Sequence, residues 1–235
     1  MIVRRAADGT FVLIRQHDHG LLSGQFAQEW AWHGSPGAAA CFAIAHHDIA
    51  WSGLDAQPRW NAETGVPYAF FDYPLAEKYV AYQVGIDLVQ TASPYAGWLC
   101  SRHFGRFAAQ LDDALSVSFV AAERTRQHRL HALVTPEERV VSEFDFDLLQ
   151  LCDGLSLFVC LNDAGENTWP WYREGLRFWG ERLMPKWDGP NHLRLDPDPL
   201  LHPVVARLPW YRVSADGSPA PEGANDGVFE IMIGG

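Results

Sequence analysis

The spacing of apolar residues changes along the chain, and each change marks a predicted element. Residues 1–5 and 11–15 are β-rich runs on either side of an Ala7-Asp8-Gly9 turn, which predicts a short hairpin. Asp18 then stands as a cap before Leu21, Leu22, Phe26 and Trp30, a helical spacing that stops near His33-Gly34. A second helix restarts at Ser35-Pro36, with Ser as N-cap and Pro at its first position, and runs to His46-His47-Asp48. It is apolar nearly all round, so it belongs in the core. Residues 51–73, rich in Gly, Pro, Asn and aromatics, read as a long ordered loop of the kind that lines sites. Helical patterns follow over 75–91, from Ser93-Pro94 toward Leu115, over 117–133 and over 136–161. After Trp169 the pattern turns to Pro-separated strands at 191–195, 204–213 and 228–233.

These elements predict a mainly α protein. A helical bundle spans about 16–165, and a small β-sheet forms where the segment of about 190–235 packs with the 1–15 hairpin. One domain over 1–235 is expected, since 235 residues are near the upper size for one core. The composition, 48% hydrophobic and 20% charged, is that of a folded globular chain.

A net charge of −11 argues against duplex nucleic acid and anionic membranes, which need clustered Lys and Arg. A small anionic substrate stays compatible, because a bound divalent metal reverses the local field. No segment has the length of a membrane span or the pattern of a signal peptide, so a cytoplasmic protein is expected. Cys41, Cys100, Cys152 and Cys160 lack CxxC spacing and read as reduced, buried thiols. The C-terminal strands leave open two roles, a homodimer surface or closure of the N-terminal hairpin.

Histidine placement carries the chemistry. Five of the ten histidines lie between His17 and His47, four of them in the pieces Gln16-His17-Asp18-His19 and Ala45-His46-His47-Asp48. Imidazole with carboxylate is the ligand set for a divalent metal with open positions. The short link between the two helices favours antiparallel packing, which brings His17 and His19 opposite His47 and Asp48. A further carboxylate is expected from Asp153, because an ionised Asp among Leu148, Leu149, Leu151, Leu155 and Leu157 is costly unless paired or metal-bound. Asp147 and Gln150, on the same face, are candidates for outer support.

A His on one helix, an adjacent His-Asp near the end of the next and a late Asp inside an apolar helix resemble the HD-domain superfamily of metal-dependent phosphohydrolases. The likeness runs from about residue 11 to 161. It implies that His19 or His17, His47, Asp48 and Asp153 bind a divalent metal (Mn, Fe, Mg, Ni or Zn) in an HD-like helical bundle. It further implies that a metal-bound water attacks phosphorus, with Asp48 at the catalytic centre. His103 would serve as acid/base group or as ligand of a second metal, with one metal the default. Arg102 and Lys78 are candidate phosphate contacts. The chain departs from the HD pattern where Gly-Lys after the pair is replaced by Ile49-Ala50-Trp51. As a whole it also resembles an uncharacterised bacterial family of unknown function.

Three functions follow. The first is hydrolysis of a small phosphate ester or nucleotide. The second is oxidation by an HD-like iron oxygenase using the same ligands, and the third is a non-enzymatic ligand-binding or regulatory role with structural histidines.

Overall fold

A computed structural model describes residues 1–216, 218 and 226–235. The N-terminal hairpin forms as expected, from β1 (Ile2–Arg5) and β2 (Phe11–Ile14). Next come α1 (Gln16–Gln28), α2 (Ala38–His46) and the single turn α3 (Trp51–Leu54). A two-stranded ribbon, β3 (Trp60–Asn61) with β4 (Val66–Pro67), leads to α4 (Leu75–Ala92), α5 (Pro94–Ala108), α6 (Ala114–His131) and α7 (Pro136–Leu161). The chain ends in β5 (Leu176–Phe178), β6 (Glu181–Trp187), β7 (His192–Asp196), β8 (Val204–Val213) and β9 (Asp226–Ile233).

Local chemistry explains the well-placed boundaries. Ser93 caps α5 by accepting from the Ala96 N–H, with Pro94 at the first position. Thr135 and Glu138 form a reciprocal capping box ahead of Pro136, which sets the start of α7. From Leu155 to Leu161 every residue of α7 is buried, so this helix is the axis of the molecule. It packs against α1, α2 and α5 on one side and reaches β1 and β5 on the other.

The mainly α bundle with a small sheet is overturned by the sheet itself. Seven strands join in the order β1-β2-β8-β9-β7-β6-β5, antiparallel throughout except for the parallel β7–β9 pair. With 47% helix and 21% strand, the architecture is α+β. The N-terminal hairpin does join the C-terminal strands, through Phe11 to Leu13 on β2 opposite Val213 to Tyr211 on β8. Strands β5 and β6 are not among the expected elements. Their turn is Trp179-Gly180, with φ of 50° and 84°, a two-residue connection that twists with the strands but carries Trp where Asn or Asp is usual. Pro185 inside β6 further masks a strand.

Three smaller readings also change. The N-cap of α1 is Arg15, so Asp18 sits in the first turn. The second helix begins after Gly37, leaving Ser35-Pro36 in the link. The stretch expected to be a loop at 51–73 holds α3 and the β3–β4 ribbon.

One apolar cluster runs from Ile2 and Ile14 through Phe26, Ile44, Leu99, Leu148 and Leu155 to Leu193 and Ile233, joining helices and sheet. The alternation along the first six residues of β8 turns Val204, Ala206 and Leu208 inward. All four cysteines are free, and three are buried. No helix among the described residues is long and apolar enough to cross a membrane.

Candidate metal centre

Two glycines decide how closely the first two helices approach. A Cβ on Gly24 would lie 2.5 Å from the Ala45 Cβ, and one on Gly20 would lie 3.3 Å from the Ala45 carbonyl oxygen. The backbones of α1 and α2 therefore touch. That contact sets His19 on α1 against His47, which ends α2, with ring centroids 5.2 Å apart and planes perpendicular. Asp48 follows in the elbow between α2 and α3, and Asp153 projects from the middle of α7.

Four side chains from these three segments come together. His19 Nε2 lies 2.9 Å from Asp48 Oδ2 and 3.8 Å from Asp153 Oδ1. His47 Nε2 lies 3.7 Å from Asp48 Oδ2 and 3.5 Å from Asp153 Oδ1. Two atoms each about 2.1 Å from a shared ion sit ~3.0 Å apart at right angles and ~3.4 Å apart at a tetrahedral angle, with an upper limit of ~4.2 Å. All four separations lie below that upper limit. His19, His47 and Asp153 bring their ligand atoms within 4.8 Å of one another, and Asp48 stands beside this set, near both histidines.

The hydrogen bonds behind these atoms point the same way. His47 Nδ1 lies 2.8 Å from the Ile44 carbonyl, which only accepts, so Nδ1 carries a hydrogen and Nε2 is the nitrogen that bears the lone pair when the ring is neutral. That Nε2 is buried and has no hydrogen-bond partner among the described residues. Ser156 Oγ donates to the Asp153 carbonyl at 2.9 Å and lies 2.7 Å from His19 Nδ1. It can then accept from Nδ1–H, so that Nε2, at hydrogen-bonding distance from Asp48 Oδ2 (2.9 Å), can give up its own hydrogen and offer a lone pair. Ser23 Oγ, 2.7 Å from Ser156 Oγ, locks this arrangement. Lone pairs and carboxylates converging in a buried space repel unless a cation sits between them.

The electrostatics agree. Burial opposes charge on His47, but Asp48 and Asp153 outweigh it and raise its pKa to about 9. Burial likewise opposes charge on Asp153, yet His47, His103 and His19 hold its carboxyl down at about 2. Asp48 is lowered as well, since His47 and His19 overcome its burial. The site stabilises positive charge at its centre.

A cavity of about 520 Å³ opens beside these groups, with Asp48, Asp153 and His103 on its wall. His103 Nε2 lies 3.9 Å from Asp153 Oδ2, the oxygen turned away from the other two histidines. Burial keeps His103 neutral, lowering its pKa to about 4 against the pull of Asp153. Lys78 also lines the cavity.

Every one of these side chains falls inside residues 1–214, which match the family described as "Protein of unknown function (DUF3891)". The chain belongs to this family. No curated protein and no solved structure matches it.

Of the residues singled out from the sequence of this DUF3891 member, the fold gathers His19, His47, Asp48 and Asp153, with His103 and Lys78 on the adjoining cavity. It does not bring the others there. His17 lies beside His46, ring centroids 6.0 Å apart, and so leaves the position to His19. His46 stacks on Phe42 at 4.3 Å. Arg102 is held by Glu143 at 2.9 Å between the Trp98 and Phe146 rings and does not line the cavity. Gln150 supports His103, not Asp153, through its contact with Nδ1. The reading missed Ser23 and Ser156, whose signal was a pair of serines on otherwise apolar faces. It also missed Gly20 and Gly24, a small-residue spacing of four that marks close helix contact.

Proposed function

We propose that this protein is a metal-dependent hydrolase of a small phosphate ester, with the divalent ion held by His19, His47, Asp48 and Asp153. The observation that carries the reading is the convergence of His19, His47 and Asp153 on one buried point, with Asp48 beside both histidines and the rings oriented by Ile44 and Ser156. The HD-domain resemblance of the same four residues, in the same order along the chain, supplies the reaction class.

A divalent ion in this position lowers the pKa of a bound water and neutralises phosphate charge. The rest falls to the chain. Lys78 is a buried ammonium on the cavity wall with no carboxylate within 4.0 Å among the described residues, and its Nζ donates to the Phe70 carbonyl at 3.2 Å. Burial lowers its pKa, partly offset by Asp72. Such a cation is satisfied by an anionic ligand, and its remaining donors suit phosphate oxygens. In the reaction, water oxygen bonds to phosphorus, the ester P–O bond breaks, and the alcohol leaves with a proton.

The lining favours an apolar alcohol over a nucleoside. Phe71, Phe107 and Trp171 line the cavity with half their surface or nearly so exposed, which makes an aromatic mouth. Asp48 and Asp153 are its only lining carboxylates among the described residues, so none remains to bind a ribose diol.

Metal content by mass spectrometry of protein purified without added metal, followed by a phosphatase screen with Mn²⁺, tests the reading. Stoichiometric metal and cleavage of naphthyl phosphate faster than of nucleoside monophosphates are expected, with activity lost in a folded Asp48→Ala variant. Absence of any micromolar-affinity divalent metal refutes it. Iron-dependent oxygen uptake without phosphatase activity would move the same ligands to the oxygenase reading.

A further inference from the structure

Asp153 faces two ways. Its Oδ1 points to His19 and His47, while Oδ2 lies 3.9 Å from His103 Nε2. Two ligand atoms that far apart still span one ion, so the distance alone permits a second metal between Asp153 and His103. The proton on His103 decides the matter, because a metal needs a lone pair on Nε2 whereas a hydrogen-bond donor needs N–H there.

The proton position follows from a chain of contacts ending on an arginine. Arg106 NH1 donates to Gln150 Oε1 at 3.1 Å. A guanidinium has no acceptor, so the amide oxygen of Gln150 must be the atom facing it. The amide nitrogen is then turned to His103 Nδ1, with which it is in contact. Being a donor, it requires a lone pair on Nδ1, which puts the single hydrogen of the neutral ring on Nε2. His47 and His103 are thereby opposites. A backbone carbonyl at Nδ1 turns a lone pair of His47 into the centre, and an amide N–H at Nδ1 turns an N–H of His103 into the cavity.

We propose that Gln150, oriented by Arg106, fixes His103 as the Nε2–H tautomer, so that His103 donates a hydrogen bond to a phosphate oxygen in the cavity and a second metal is excluded. Gln150 and Arg106 are positioning residues in this scheme, and His103 is the group that meets substrate. The tautomer rests on hydrogen-bond geometry alone, while its role toward phosphate rests on the hydrolase reading.

Nitrogen-15 NMR of imidazole-labelled, Zn²⁺-loaded protein tests it, with the His103 signals assigned by their loss in His103→Asn. The expected pattern is a one-bond proton on Nε2 that shifts when inorganic phosphate is added. Gln150→Glu, which offers only acceptors, should move the proton to Nδ1, and Arg106→Met should let the amide turn and mix the tautomers. A proton on Nδ1 in the wild type overturns the assignment, as does an Nε2 signal that saturating phosphate leaves unmoved. So do two bound equivalents of Mn²⁺ with the second lost in His103→Asn. An Nε2–H signal in protein that binds no metal would uphold the tautomer and sink the metal reading, so the two failures are distinguishable.

Discussion

Metal binding to this centre should release about one proton, and the affinity should therefore climb with pH well beyond the range of an ordinary histidine. Without an ion, His47 is held between Asp48 and Asp153 with its pKa raised to about 9, so at pH 7 it is protonated. A metal needs the Nε2 lone pair and must displace that proton. Each pH unit below about 9 then costs a factor of ten in apparent affinity, ~1.4 kcal/mol. Between pH 6.5 and 8.5 the gain is roughly 100-fold. A histidine titrating near 6.5 would instead level off above about pH 7.5.

Calorimetric titration with Mn²⁺ in two buffers of different ionisation enthalpy measures both the slope and the proton count. The stability of the metal-free protein should move the opposite way. The folded pKa lies above the unfolded one, so the contribution of charged His47 is complete below about 6.5 and is lost as pH rises through 9, on the order of 3 kcal/mol. An affinity flat from pH 7 to 9 with no proton released would refute the reasoning, because it would mean that His47 is not confined between the two carboxylates.

Mn²⁺ at 100 times its Kd should stabilise the protein by about 2.7 kcal/mol, a rise of roughly 6 °C in Tm, and this rise should vanish in Asp153→Ala, as followed by calorimetry. Gly24→Ala gains ~1 kcal/mol of helix propensity but forces a methyl to within 2.5 Å of Ala45, and overpacking of about 1–3 kcal/mol wins. Urea denaturation should thus show a net loss, with weakened Mn²⁺ binding, since the helices that carry His19 and His47 part. Lys78→Met should leave thermal stability equal or higher while raising KM for a phosphate ester about 10–100-fold, because it removes a buried charge whose one protein acceptor is the Phe70 carbonyl and whose remaining donors the proposed substrate would take up. Burial raises the Asp145 carboxyl to about 6 despite the hydrogen bond from Tyr95, so its contribution to stability is full below about 4 and lost as pH rises through 6. Asp145→Asn should flatten the fall in stability over that window by about 1–2 kcal/mol, as followed by urea denaturation, and an unchanged pH profile would count against it.

Much of the candidate site is legible along the chain because its signals are local. His47-Asp48 at the end of an apolar helix and Asp153 amid leucines are unusual within one or two turns, since a lone buried carboxylate is expensive wherever the helix packs. Helix caps such as Ser93 and the Thr135–Glu138 box are equally local, and α5 and α7 start where they predict. The strands β7, β8 and β9 stand out by composition within a few residues of their bounds.

What the linear order could not settle depends on distance across the fold. Which of His17 and His19 faces the centre is a matter of helix phase, decided by the Gly20 and Gly24 contact with Ala45. The sheet grew to seven strands because β6 pairs with β7 through hydrogen bonds that neither Pro185 nor the Trp179-Gly180 turn announces. Protonation is the last such property. His47 and His103 are the same residue type in buried helical surroundings, and only the partner that folding brings to Nδ1, the Ile44 carbonyl or the Gln150 amide, sets which ring nitrogen carries the hydrogen when the ring is neutral.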